Sequence, residues 1–335
     1  MQILNYLDFT LTPISGNRLY YKKQMRVKGA DNGMIPEKDG PYLETKTVLG
    51  SRYRVHRPIA QSELSVVYTG RYLTGEAVII KEFYPRALVL RDLDRKTVLC
   101  RKPSVHDKFA KLREAFEREA HILKSLKHPS IVRCYEHFEE NGTYYTVLEY
   151  CRGRSLERVL RKRKPDVELF LSKTALPLIS GIQHLHREGW IHRDIKPANI
   201  MILSDGGIKL IDFGSAVALE REEERGIVTS AHYSPLELYS KDSRQGTFSD
   251  VYSLCATLYA SLAGKPPADI RERLINDSLI PLQEHAPAIS AFLAGRIQAG
   301  LSIDRKRPTL AMLKAAVHIE RYRVSRRQKS ITAKV

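Results

Sequence analysis

The stretch His192-Arg193-Asp194-Ile195-Lys196-Pro197-Ala198-Asn199 is the feature that most narrows the folds open to this chain. It sets a carboxylate, an ammonium and a carboxamide close together, and Asp212-Phe213-Gly214 follows after "IMILSDGGIKLI". That intervening run reads as two short strands around a Gly206-Gly207 turn. Such a hairpin folds Asp212 back toward Asn199. The fold must therefore close two carboxylates, a lysine and an asparagine into one polar cluster.

The rest of the pattern falls into two regimes. From position 51, "YRVHRPI", "SVVYTGRYL" and "EAVIIKEFY" are strand-like, with turns at Ser62–Ser65 and Thr74-Gly75. In the helical segment from His106, Phe109, Leu112, Phe116, Ala120 and Leu123 share one face, and His128-Pro129 closes it. "IVRCYEHFE" and "TYYTVLEYC" form a hairpin around Glu140-Asn141-Gly142. After position 155 the chain turns helical. Leu169, Leu176, Ile179, Ile182 and Leu185 fall at helical spacing, and "SDVYSLCATLYASLAG" predicts a buried helix. This is an α+β pattern of two lobes, an antiparallel sheet with one helix and then a mainly helical part. There are no internal repeats.

With 43% hydrophobic and 28% charged residues, the composition is that of a soluble globular protein, and no run reaches the ~18 apolar residues of a membrane span. The N-terminus "MQILNYLDFTLTPISG" has no basic start and an early Asp8, so it makes a poor secretion signal. Cys100, Cys134, Cys151 and Cys255 are scattered without metal spacing, as expected of reduced thiols in the cytoplasm. A non-cleaved signal for a dedicated export machine leaves no such trace, so delivery to another cell stays open. The net charge of +17 suits acidic protein substrates, anionic lipid or nucleic acid. Only Tyr322 interleaves with the arginines of the tail, so base stacking is not indicated.

The residue types of the cluster suit phosphoryl transfer. One carboxylate orients a hydroxyl and accepts its proton, an ammonium steadies the moving phosphate, and an amide oxygen with a second carboxylate holds Mg²⁺ (or Mn²⁺) on phosphate oxygens.

Taken in order, these features resemble the protein kinase family over residues 51–318, and within it the bacterial Ser/Thr branch. The resemblance rests on "VIIKEFYP", "HPSIVRCYEHFEENGTYY", "HRDIKPAN", "DFG" and "TSAHYSPLELY". It implies a bilobal kinase-like fold with an extension over 1–50, an N-lobe over 51–148, a C-lobe over 149–318 and a basic tail over 319–335. It also implies ATP and Mg²⁺ as cofactors and Ser/Thr hydroxyls of proteins as acceptors. Asp194 matches the family's base, Lys196 its phosphate-steadying lysine, and Asn199 and Asp212 its metal ligands. Lys81 and Glu119 match its phosphate-gripping pair, Leu148 its gatekeeper, and Glu149 and Cys151 its adenine-contacting hinge. Glu237, Asp250 and Arg307 match its bracing residues. Thr229 is a candidate phosphosite that Arg193 would bind, unless the acidic run 220–225 takes that place. Ser230 replaces the substrate-facing threonine.

Two departures from the family pattern are expected to weaken nucleotide binding, and a third, at Ser155, is mild. Ala60, Ser62 and Ser65 stand where the phosphate loop has glycines, with Val67 retained. A Cβ there costs roughly 1–2 kcal/mol if the turn keeps a left-handed residue. Ser62 and Ser65 could instead offer hydroxyls to phosphate. Ile79 replaces the alanine over the adenine, an overpacking cost of ~1–3 kcal/mol. Ser155 replaces the acidic ribose contact. The alternatives to an active kinase are a pseudokinase scaffold and a small-molecule phosphotransferase.

Overall fold

A computed structural model describes residues 40–220 and 226–332. Six strands form one antiparallel sheet: β1 (Val48–Leu49), β2 (Tyr53–Gln61), β3 (Ser65–Tyr72) and β4 (Ala77–Phe83), then β7 (Cys134–Glu140) and β8 (Thr143–Glu149). Their order is β1-β2-β3-β4-β8-β7. A two-stranded hairpin, β5 (Val89–Arg91) and β6 (Val98–Cys100), leads into α1 (His106–Ser125). The expected apolar stripe of α1 faces the sheet. Phe116, Ala120 and Leu123 are buried, and Phe109 and Phe116 pack 5.1 and 5.4 Å from Phe83. Asp107 in its first turn and Lys124 in its last complement the helix dipole.

The remaining small elements join the two halves. β9 (Gly153–Ser155) leads into α2 (Leu156–Leu160) and α3 (Val167–Phe170). A π-turn over Leu171–Ala175 continues into α4 (Leu176–Arg187). This turn explains why Leu169 is 58% exposed although the spacing predicts it inside. The wider turn rotates everything before it off the apolar face on which Leu176, Ile179, Ile182 and Leu185 remain buried. β10 (Trp190–Ile191), β11 (Ile200–Leu203), β12 (Ile208–Leu210) and β13 (Val217–Ala218) frame the motifs.

Behind them α5 (Thr247–Ala263) is buried at every residue from Ser249 to Ala263, as its composition predicts. Its polar side chains turn back on the helix: Ser253, Thr257 and Ser261 each donate to the carbonyl four residues earlier. The helix ends at Gly264, whose φ of 81° suits the cap. The short α6 (Ile270–Arg273) and α7 (Leu282–His285) follow, then α8 (Ala291–Gly300), whose Gly300 lies so close to α5 that a Cβ would stand 2.2 Å from Cys255 Sγ. α9 (Leu310–Thr332) closes the lobe.

Two expected boundaries fall inside structure. The extension over 1–50 lies outside the described residues as far as 39. Its described end is part of the sheet: β1 pairs with β2, Leu43 is buried, and the Leu43 N–H donates to the Tyr68 hydroxyl at 3.1 Å. At the other end, position 318 lies within α9, so the start of the basic tail continues that helix.

A buried polar group on the upper face of the sheet fastens this N-terminal segment. Glu82, fully buried, accepts from Arg91 at 2.7 Å, Tyr68 at 2.8 Å and Tyr145 at 3.1 Å. Arg91 also donates to the Pro41 carbonyl at 2.9 Å.

On the lower face His137 bonds Thr146 at 3.0 Å and packs on Phe116 of α1. Burial, with the nearby charges of Lys124 and His121, lowers its pKa to about 4. An unfolded histidine takes its proton near pH ~6.5. This contribution to stability is therefore complete above that value and lost as pH falls toward 4. The expected result is a urea midpoint that drops between pH 6.5 and 4, with a shallower drop in His137→Gln.

Candidate active site

Asp250, buried in the first turn of α5, organises the segment before β11. Its Oδ1 accepts from the Arg193 N–H at 2.8 Å. Its Oδ2 accepts from the His192 N–H at 2.8 Å and bonds His186 Nε2 at 2.7 Å. Burial alone would raise its pKa, but His186 and these N–H groups hold it below the usual carboxylate range. The three bonds fix Arg193 in a left-handed conformation, φ 66°, a backbone cost of about 1–2 kcal/mol. Composition and spacing give no sign of His186, whose partner lies far along the chain.

That bend brings the polar cluster together. Lys196 Nζ lies 2.9 Å from both carboxylate oxygens of Asp194. Asn199 Nδ2 donates to the Asp194 carbonyl at 2.8 Å and to Oδ2 at 2.9 Å. The Ser230 hydroxyl donates to Asp194 Oδ1 at 2.7 Å and accepts from Lys196 at 2.8 Å. β11 and β12 form the expected hairpin, and the Ile211 N–H donates to the Asn199 carbonyl at 2.9 Å. The next residue is Asp212, half-buried with φ 63°. Phe213 is buried edge-on to His192 at 4.7 Å.

Lys81, on β4, lies opposite Val67 and Thr146. Its ammonium sits 2.7 Å from both Glu119 oxygens, and both side chains are buried. α1 is thereby held against the sheet.

The loop over 60–67 is a tight hairpin with Ala60 opposite Val67. Ser62 Oγ accepts from the Ser65 N–H at 3.0 Å and the Leu64 N–H at 3.3 Å, and it lies 3.0 Å from Ser65 Oγ. None of Ala60, Ser62 and Ser65 has a positive φ, so the left-handed strain set out as a condition does not arise. Ser65 is buried at 3% exposure, and both hydroxyls bond within the turn. The turn is also held from outside: the Tyr84 and Arg86 N–H groups bond the Leu64 and Glu63 carbonyls, and Tyr42 donates to Gln61 at 2.9 Å.

Ile79 lies between Thr69 on β3 and Leu148 on β8, half-buried. The Glu149 carboxylate bonds Lys209 at 2.8 Å, and its N–H donates to the Arg133 carbonyl. Cys151 follows β8, and burial pushes its thiol up to about 12, so it stays protonated at neutral pH. Ser155 caps α2 by accepting from the Arg158 N–H at 3.2 Å. Gly153 is needed for close approach, since a Cβ there would stand 2.0 Å from the Ile202 carbonyl.

The Arg193 guanidinium donates to the Ser215 carbonyl at 2.7 Å, Gln245 at 3.1 Å and the Gly226 carbonyl at 3.3 Å. Gln245 has no sequence signal that would single it out. The acidic run lies outside the described residues apart from Glu220. Arg307 meets Glu237 at 2.6 and 3.2 Å, both buried.

The donor set fits a hard divalent cation. With its Nδ2 bonded to Asp194, Asn199 keeps an amide oxygen, and Asp212 adds a carboxylate. Among the described residues no group of three or more His, Cys, Asp or Glu is placed to hold a metal ion.

The protein kinase domain matches residues 87–294, more than half of the chain, and the chain belongs to the protein kinase family. It is 35% identical over 229 residues to a probable serine/threonine-protein kinase of Corynebacterium efficiens, covering 66% of this chain and 32% of that one. It is 32% identical over 205 residues to the serine/threonine-protein kinase PLK2 of Mus musculus, covering 59% of this chain and 29% of that one. The match thus spans about a third of these relatives' length. Among solved structures it resembles the apo form of PpkA-294 with a TM-score of 0.71 and 26% identity, covering 83% of this chain and all of the other. The fold is the bilobal kinase fold.

Proposed function

We propose that the chain transfers the γ-phosphate of ATP to serine or threonine hydroxyls of proteins. The observation that carries this reading is the hydroxyl seated on Asp194: Ser230 Oγ lies 2.7 Å from its carboxylate and 2.8 Å from Lys196. A substrate hydroxyl held in the same way would give its proton to Asp194 as its oxygen attacks. Lys196 would offset charge on the transferring group, and Lys81, fixed by Glu119, would hold the α- and β-phosphates. Asn199 and Asp212 would hold Mg²⁺, which neutralises phosphate charge when bound. Leu148, Glu149 and Cys151 would meet the adenine, with Val67 and Ile79 above it and Ser155 near the ribose. Among the described residues no helix is long and apolar enough to cross a membrane, and we place the activity in the cytoplasm.

The test is transfer of labelled phosphate from ATP to a serine peptide. Transfer by the wild-type chain that is lost in Asp194→Asn supports the reading, and no transfer by either sinks it. A pseudokinase reading draws on the Ser62–Ser65 turn, whose hydroxyls bond each other. It requires that Mg²⁺-ATP leave the melting temperature unchanged.

Ile79 carries a separate expectation. If it crowds the base, Ile79→Ala lowers KM for ATP by roughly 5–150-fold and alters kcat less than about twofold, matching an overpacking cost of ~1–3 kcal/mol. Steady-state kinetics over an ATP series checks this, and an unchanged or raised KM would mean that Ile79 does not crowd the base.

A further inference from the structure

Seven of the thirteen residues 152–164, directly after the hinge, are arginine or lysine, and one is acidic. That one, Glu157, is paired with Arg161 at 3.0 Å. Lys164 donates to the His285 carbonyl at 3.2 Å. Arg152, Arg154, Lys162 and Arg163 are exposed, and none has a carboxylate at ion-pair distance among the described residues.

The fold sets this charge beside the reacting groups. Arg154 lies opposite Ile202 in the β9–β11 ladder, three residues beyond Asn199. Ladder spacings put its Cα about 11 Å from that residue, within reach of a peptide lying across Asp194. α2 packs on the turn Pro197–Asn199. Burial and then the charge of Glu157 in the first turn of α2 push the Tyr233 hydroxyl up to about 12, so α2 acts electrostatically on the segment that carries Ser230.

We propose that the basic rim formed by Arg152, Arg154, Lys162 and Arg163 selects protein substrates whose acceptor hydroxyl is flanked by acidic residues. The proposal rests on the kinase reading and deepens it. A substrate carboxylate meets cations with no carboxylate to displace among the described residues, and a basic flank meets repulsion. Exposed pairs are individually weak, each worth a factor of about 1.5–5, so selectivity comes from several together. It is also screened by salt.

The experiment compares two serine peptides, one flanked on both sides by glutamate and one by glutamine. kcat/KM is measured for the wild-type chain and for Arg154→Glu/Lys162→Glu. The expected wild-type ratio, acidic over neutral, is at least about 10, shrinking at high salt and falling to about 1 in the variant. Because each ratio compares two peptides on one preparation, partial loss of folded protein cancels. Equal kcat/KM for both peptides in the wild type, or an unchanged ratio in the variant, overturns the proposal. Transfer to neither peptide refutes the kinase reading instead. Phosphatidylserine vesicles or single-stranded DNA that bind the wild type but not the variant, with no peptide preference, would assign the rim to those polyanions and overturn it as well.

Discussion

Asp194→Asn is expected to lower kcat by about 10²–10⁴-fold, the usual contribution of a general base, while KM for ATP changes far less. Asparagine keeps an oxygen toward Lys196 and Asn199, both of which contact the aspartate at 2.9 Å. What it loses is the capacity to accept the hydroxyl proton. Lys81→Met, by contrast, acts on the phosphates and is expected to raise KM as well as lower kcat. Single-turnover rates at saturating ATP separate the two. An Asp194→Asn variant within threefold of wild type would remove Asp194 from the chemistry.

The largest effect on stability is expected at Glu237. Its carboxylate holds Arg307 at 2.6 and 3.2 Å, with side-chain exposures of 2% and 0%. Removing one partner of a buried pair leaves an uncompensated charge and costs about 3–5 kcal/mol. For a chain of 335 residues, at ~2.1 cal/mol/K of unfolding entropy per residue, that corresponds to a melting temperature lower by roughly 4–7 °C in Glu237→Ala. Arg307 keeps its bonds to the Phe248 and Ser302 carbonyls and its stacking on Tyr252, so the lower end of that range is favoured. Calorimetry of both proteins measures the difference. A shift under 2 °C would show that these remaining contacts suffice.

Much of the architecture is legible in the residues themselves. The hairpin that returns Asp212 to Asn199 follows from two short apolar runs around Gly206-Gly207, and α5 is buried because almost nothing on it is charged. The phase of Leu169 was not legible, because a π-turn leaves no periodic signature of its own. Nor was the contribution of residues 41–49 to the sheet. Their strand is two residues long, and its anchors, Glu82 and Arg91, read as surface charges until the fold buries them.

The turn over residues 60–67 shows the same limit at the candidate site. Counting missing glycines predicts strain, but strain depends on φ, and the turn avoids the left-handed region altogether. It closes through Ser62, whose hydroxyl takes two backbone N–H groups. Glycine at position 62 would remove those bonds and relieve nothing in the backbone.

Transfer of labelled γ-phosphate from ATP to a serine peptide, run with Mg²⁺ and with a chelator in its place, tests the active-kinase reading most directly. An active Asp194–Lys196–Asn199–Asp212 cluster gives transfer that requires the cation and rises with ATP to a plateau. No transfer at millimolar Mg²⁺-ATP, together with no change in melting temperature on adding nucleotide, would contradict it.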